Sequence, residues 1–278
     1  MSEPVLHGAW VRAADAAPNQ VTLFLHGILG SGSNLRGLAQ AYVQAEPQCA
    51  ALLVDLRLHG KSRGFAPPHD VRACARDLLA LEPTLPWPVT AVVGHSFGGK
   101  VALAYHDLRP SLTRVVTLDS DPGARPDRVG SEQTMTVLAL LDRLPKTYSK
   151  RDEFIAQVEA QGQPRAIAEW LAMNLERTAE GFAFRVDLPG IRALLDSYFS
   201  LDLWPVVERS AAQLDVVIGG LSRVWDAAHL ARIEGLAREQ PKRVHVHLLP
   251  DAGHWVHVDA PVALRAALIA AKAQTDTP

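Results

Sequence analysis

VTAVVGHSFGGKVALAY, residues 89–105, opens as a run rich in β-branched side chains, breaks at Gly94, and resumes after Gly98-Gly99 as an apolar stretch suited to a buried helix. Ser96 stands at the corner. Gly94-His95-Ser96-Phe97-Gly98 fits G-x-S-x-G, the nucleophile elbow, in which small flanking residues permit a strained turn that lifts the serine oxygen above a sheet. The pattern gains its meaning from a strand before it and a helix after it, and both are readable here. The N-terminus of that helix brings unpaired N–H groups and a partial positive charge to any anion forming beside Ser96. Acyl transfer is the chemistry this geometry suits.

The same strand-loop-helix unit recurs on the N-terminal side. Residues 5–12 predict a short edge strand. Val21-Thr22-Leu23-Phe24-Leu25 is a continuous apolar run ending in the glycine- and serine-rich loop His26-Gly27-Ile28-Leu29-Gly30-Ser31-Gly32-Ser33, ahead of a helix over 34–46. Residues 50–56 repeat the strand and 57–62 the loop, with a helix over 70–81 that stops before Pro83. A fourth strand over 112–118 ends at Asp119. This order predicts a parallel sheet with helices on both faces. From Asp121 the character changes: Pro122, Pro126 and Pro145 punctuate helical patterns at 131–144, 151–160, 165–177 and 188–199, with no strand expected before Leu214. Residues 1–120 and 209–278 therefore read as one α/β core, and 121–208 as a helical lid inserted over the carboxyl edge of the sheet. The core resumes with strands at 214–218 and 244–249, and with helices at 227–239 and 261–272.

Composition sets the outer limits. A chain of 278 residues, 48% hydrophobic and 21% charged with a formal net charge of -2, has the make-up of a soluble globular protein and no electrostatic footprint for nucleic acid. Cys49 and Cys74 cannot build a disulfide framework and sit in apolar surroundings, which predicts buried free thiols and a cytoplasmic setting. Glu3 with no basic stretch before a long apolar run argues against a signal peptide, and no stretch is long enough to span a bilayer.

Serine needs a base within hydrogen-bond reach, oriented in turn by a carboxylate. Of the eleven histidines, His254 lies in a glycine-bearing loop after the last strand, at the edge where the elbow emerges. His26 and His95 flank glycine turns and are candidates for the pocket wall or for structural roles, as is Trp255 for substrate contact. His245 and His247 share one face of a strand; neither that pair nor His254 with His257 has an acidic or cysteine partner at metal-ligand spacing, so no metal is expected. Oxyanion donors are expected at the Phe97 N–H and, from the loop after the first core strand, at Ile28.

Taken together, His26-Gly27-Ile28-Leu29-Gly30-Ser31, Asp55-Leu56-Arg57-Leu58-His59-Gly60-Lys61-Ser62, Gly94-His95-Ser96-Phe97-Gly98-Gly99-Lys100, Phe182-Ala183-Phe184-Arg185-Val186-Asp187-Leu188 and Ala252-Gly253-His254-Trp255-Val256-His257 resemble the α/β-hydrolase superfamily. Within it, they are similar to the abhydrolase-domain-11 and YbfF-type esterases. The resemblance implies Ser96 as nucleophile, His254 as base, Ile28 and Phe97 as oxyanion donors, and cleavage of small to medium acyl esters with no metal or organic cofactor. The chain departs from the family pattern where Asp119-Ser120-Asp121-Pro122-Gly123 replaces a more usual Asp-x-Ser-Pro.

The acid is the open position. Many such hydrolases carry it after the strand placed here at 214–218, yet this chain reads Gly219-Gly220-Leu221-Ser222-Arg223-Val224, with serine where a carboxylate is expected. Asp226 reads as a helix N-cap, Asp196 sits in the lid, and Asp251 is too near His254 in sequence to face its ring. Asp119 is the assignment, with Asp226 and Asp196 in reserve. Trp170, Leu171, Leu175, Phe182 and Tyr198 either set acyl-chain preference or pack the lid on the core. A serine at the elbow argues against dehalogenase and epoxide hydrolase chemistry, where aspartate stands there. Thioester, lactone or carbon–carbon bond cleavage, and a non-catalytic binding scaffold, stay beside the esterase reading.

Overall fold

The computed structural model describes residues 5–273, so Glu3 and its bearing on targeting lie outside the described residues. The apolar runs become strands: β1 (Gly8–Val11), β2 (Gln20–Leu25) and, after helix α1 (Arg36–Ala45), β3 (Cys49–Val54). Helix α2 (Val71–Leu81) begins at Asp70, whose carboxylate accepts the Ala73 N–H. It leads to β4 (Val89–His95), α3 (Phe97–Leu108) and β5 (Arg114–Leu118). Then come α4 (Glu132–Arg143), β6 (Thr147–Tyr148), α5 (Arg151–Ala160), α6 (Arg165–Leu171), β7 (Leu175–Thr178), β8 (Gly181–Phe184), α7 (Leu188–Ser200) and α8 (Trp204–Arg209). The chain closes with β9 (Gln213–Gly219), α9 (Ala227–Glu239), β10 (Val244–Leu249), the single turn α10 (Val256–Asp259) and α11 (Pro261–Ala273).

One sheet runs in the order β1-β3-β2-β4-β5-β9-β10, parallel throughout except for β1, which lies antiparallel to β3 at the edge. Alternate side chains feed two cores. Leu23, Leu25, Leu52, Val54 and Val92 pack with α2 and α3, whereas Phe24, Leu53, Val93 and Val116 pack with α1 and α11. Burial on both faces, at about 1.5–3 kcal/mol for each such side chain, is why these strands read as unbroken apolar runs. Register aligns their carboxyl ends: Leu25 lies opposite Gly94, His95 opposite Leu118, and Leu118 opposite Val217. The loop from His26, the corner at Ser96 and the residue after Leu118 therefore emerge side by side.

The expectation that no strand precedes Leu214 is corrected by a second, antiparallel sheet in the order β6-β8-β7. The helix expected over 165–177 stops at Leu171, turns through Ala172–Asn174 and becomes β7. The Asn174 amide donates to the carbonyls of Leu171 and Leu29, tying that turn to the loop before α1. Strands of two to four residues are too short to print an alternation, which is why periodicity misses them. Helix α7 packs on α2 and α3, and α8 on α3. Cys49 and Cys74 are buried and not joined in a disulfide, and burial pushes the Cys74 pKa up. Among the described residues no helix is long and apolar enough to cross a membrane.

Candidate active site

Ser96 takes φ 52° and ψ -117°, a conformation an L-residue holds only when its surroundings impose it, at a cost of about 1–3 kcal/mol. Those surroundings are visible. A Cβ on Gly94 would overlap the Gly98 carbonyl, and one on Gly98 the Leu25 carbonyl. The Ser96 N–H donates to Leu118 O at 2.9 Å, and Ser120 Oγ donates to Ser96 O at 2.7 Å. Strand β5 thus braces the corner from one side and β2 from the other.

His254 spans the gap between the corner and β5. Its Nδ1 stands 2.7 Å from Asp119 Oδ2 and its Nε2 2.9 Å from Ser96 Oγ. Asp119 is fully buried and also accepts the Ser222 hydroxyl at 2.5 Å and the Gly219 N–H at 3.2 Å. A carboxylate can only accept, so Nδ1 carries the ring proton and Nε2 turns a lone pair to the Ser96 hydroxyl. Such a chain can draw the proton from Ser96 as its oxygen attacks. Asp226 instead accepts the His229 N–H at the start of α9, and Asp196 pairs with Arg128 at the surface.

The loop after β2 approaches from the other side: a Cβ on Gly27 would stand 3.0 Å from His95 Nδ1 and 3.5 Å from Ser96 Cβ. Two buried histidines set its shape. His26 Nε2 accepts the Leu56 N–H (3.0 Å), so its Nδ1–H donates to Gly27 O (2.7 Å). His59 Nε2 accepts the Leu29 N–H (3.0 Å) and its Nδ1–H donates to Arg57 O (2.9 Å). Each loop lends a ring to the other. Burial lowers both pKa values, that of His59 to about 3, and keeps the rings neutral as this pattern requires. Phe97 is the first residue of α3, so its N–H has no acceptor within the helix.

A cavity of about 120 Å³ opens over Ser96, lined by Ile28, Phe97, Trp170, Tyr198, Trp255 and His257, among others. His95 also reaches it and bonds the His254 carbonyl (2.9 Å); burial, then the neighbouring His257 and His254, hold its pKa well below the usual value. His257 stacks beside Trp255, and burial followed by His254 lowers its pKa to about 4 against the pull of Asp259. The base is ringed by neutral imidazoles.

The description "Alpha/beta hydrolase family" is matched by residues 22–267. The chain belongs to the α/β-hydrolase family. Among its relatives, the sn-1-specific diacylglycerol lipase ABHD11 of Mus musculus is 29% identical over 245 residues, covering 86% of this chain and 76% of that protein. Esterase YbfF of Escherichia coli is 26% identical, over 90% of this chain and 92% of its own length. A solved marine microorganism esterase shares the fold with a TM-score of 0.79 at 20% identity, covering 96% and 99% of the two chains.

In this hydrolase the sequence-predicted Ser96, His254, Ile28, Phe97, His95, Trp170, Tyr198 and Trp255 line one cavity, and Asp119, fully buried, joins them through its bond to His254. His26 does not: it lies behind the loop, fully buried, as a backbone staple. Leu171, Leu175 and Phe182 pack into the apolar core and do not line the cavity, so only part of the proposed acyl-contact set reaches it. Asp215 on β9 corrects the expectation that His245 and His247 lack an acidic partner, lying 3.2 Å and 3.1 Å from their ring nitrogens. Among the described residues the side chains close enough to share a metal ion are Asp121, from the segment after β5, and Asp226 and His229 at the start of α9, none of which lines the cavity over Ser96. Sequence reasoning missed His257 and the bond from Ser222. The serine standing where an acid was expected was the available signal for the second.

Proposed function

We propose that this chain is a serine esterase that hydrolyses small to medium acyl esters through an acyl-enzyme on Ser96. The observation that carries the reading is the continuous Ser96–His254–Asp119 hydrogen-bonded chain at the floor of an apolar cavity. Ser96 Oγ attacks the acyl carbonyl while its proton passes to His254 Nε2, and Asp119 steadies the imidazolium. The oxyanion forms against the Phe97 and Ile28 N–H groups, each worth about 3 kcal/mol. Collapse expels the alcohol with the proton from His254; water then enters by the same base and frees the acid. Every proton in the cycle has a donor and an acceptor among these side chains, so the cycle calls for no cofactor. The names of the relatives, esterases and a lipase, support carboxylic esters over other acyl substrates.

At about 120 Å³ the cavity is of the order of the ~150 Å³ that accommodates benzene, which favours acyl groups of roughly four to six carbons. Residues 121–208 serve as the lid in this reading, since Trp170 on α6 and Tyr198 on α7 roof the cavity. Buried cysteines at 49 and 74 that form no disulfide fit a reducing cytoplasm. A fluorophosphonate probe is expected to label Ser96, and Ser96→Ala to abolish both label and turnover of p-nitrophenyl butyrate. Label on another serine, or turnover that survives the substitution, overturns the reading.

A further inference from the structure

Two buried charged side chains outside the Ser96 cluster converge where residues 121–208 leave the sheet and return to it. Lys100, on α3 and fully buried, donates from Nζ to the carbonyls of Gly123 (2.7 Å), Tyr198 (2.5 Å) and Leu201 (2.9 Å). Gly123 lies on the outgoing crossing; Tyr198 and Leu201 lie at the end of α7 on the returning one. An ammonium has three protons, and each of these carbonyls can take one. Asp121, also fully buried, accepts the Gly123 N–H (2.7 Å) and the His229 ring from α9 (2.7 Å). The His229 ring lies so close to Gly123 that a Cβ there would overlap it. Backbone bonds join the crossings themselves, Leu203 N–H to Pro122 O (2.9 Å) and Arg125 N–H to Phe199 O (2.7 Å).

A buried lysine is a costly way to fill space, since a methionine would pack without the desolvation penalty. Burial pushes the Lys100 pKa down to about 7, with Asp121 and Asp202 pulling it up and Arg125 adding to the push. Even the neutral amine retains two donors for these carbonyls. What the arrangement holds is Tyr198: Lys100 bonds its carbonyl and stands 4.6 Å over its ring, which meets Phe97 (6.1 Å) and lines the cavity. A side chain that grips both crossings thus springs from the helix that carries the elbow. The unexpected carboxylate at Asp121 serves the same junction from the opposite side.

We propose that Lys100, with the Asp121–His229 pair facing it, is a positioning clamp that fixes the roof of the cavity, Tyr198 above all, against the Ser96 elbow and so sets the acyl length accepted. The proposal rests on the esterase reading of the cavity. Its test compares the wild type, Lys100→Met and His229→Gln by kcat/KM on p-nitrophenyl acetate and octanoate, alongside hydrogen exchange of residues 121–208. In the octanoate-to-acetate ratio, any disturbance common to both substrates at Ser96 or His254 divides out, and a merely stabilising role leaves it unmoved. The ratio is expected to rise about tenfold in Lys100→Met and in the same direction in His229→Gln, with faster exchange confined to the two crossings. A ratio and an exchange pattern unchanged in folded Lys100→Met overturn the clamp. Should that variant not fold, His229→Gln decides, an unchanged ratio again overturning it. A wild type that cleaves neither ester removes the esterase reading instead, and exchange at the crossings then judges the clamp by itself.

Discussion

Asp119 is held by three donors of different kinds, the His254 ring, the Ser222 hydroxyl and the Gly219 N–H, and each implies a different consequence of substitution. In the proposed mechanism the carboxylate matters because it can only accept, which fixes the His254 tautomer. Asn at 119 offers an N–H to the same nitrogen and invites the wrong tautomer. Asp119→Asn is expected to lower kcat by about 10⁴-fold with the fold intact. Ser222→Ala removes one donor and leaves the carboxylate, so a fall of roughly tenfold in kcat with little change in KM is expected. Asp226→Asn and Asp196→Asn serve as comparisons, since their carboxylates face a helix start and a surface arginine. Steady-state kinetics on one ester checks all four, and full turnover in Asp119→Asn would falsify the assignment.

At the level of elements, the His26 and His59 staples bind the loops after β2 and β3 into one unit, and the Leu29 N–H held by His59 is adjacent to Ile28. Replacing His59 by leucine keeps bulk but strands the Leu29 N–H and the Arg57 carbonyl. A loss of about 3 kcal/mol in urea unfolding is expected, together with a fall in kcat measured well below the transition, because the Ile28 amide loses its support. An unchanged kcat would separate the staple from the proposed oxyanion site. These elements also mark how far the sequence could be read. Strands buried on both faces announce themselves as apolar runs, and Gly94 and Gly98 are legible because no side chain fits at either. The β6-β8-β7 sheet was not legible, its strands being too short to show a period. Nor was the placement of Lys100, which joins groups up to 101 residues away; on one helix it reads like any lysine, and only the crossings of residues 121–208 make it interior. Ser222 was visible as an anomaly, but its bond to Asp119 exists only because β5 and β9 are neighbours.

Over the whole molecule, the histidines that the fold keeps neutral make stability depend on pH. Burial is the first cause in lowering the pKa of His26, His59, His95, His106 and His257, His59 to about 3 and His257 to about 4. In the unfolded chain they titrate near 6.5, so as pH falls through 6.5 the unfolded state takes up protons that the folded state refuses. Their contribution is therefore complete above about pH 6.5 and is lost progressively toward pH 4 and 3. His245 has the opposite sign: the bond to Asp215 raises its pKa, so its contribution is present below 6.5 and lost as pH rises through the raised value. By pH 5.5 each fully neutral histidine costs about 1.4 kcal/mol, so His59, His95 and His257 together cost roughly 4 kcal/mol, a loss that the raised pKa of His245 offsets in part. Asp121, its pKa raised by burial, opposes the loss only at lower pH, in the range of carboxylates. Urea unfolding at pH 7.5 and 5.5 is expected to show a net loss of stability at the lower pH, and His59→Leu to show a shallower slope. A midpoint that stays level or climbs on acidification would mean that these rings are protonated in the folded state, which the acceptor roles of His26 and His59 Nε2 forbid.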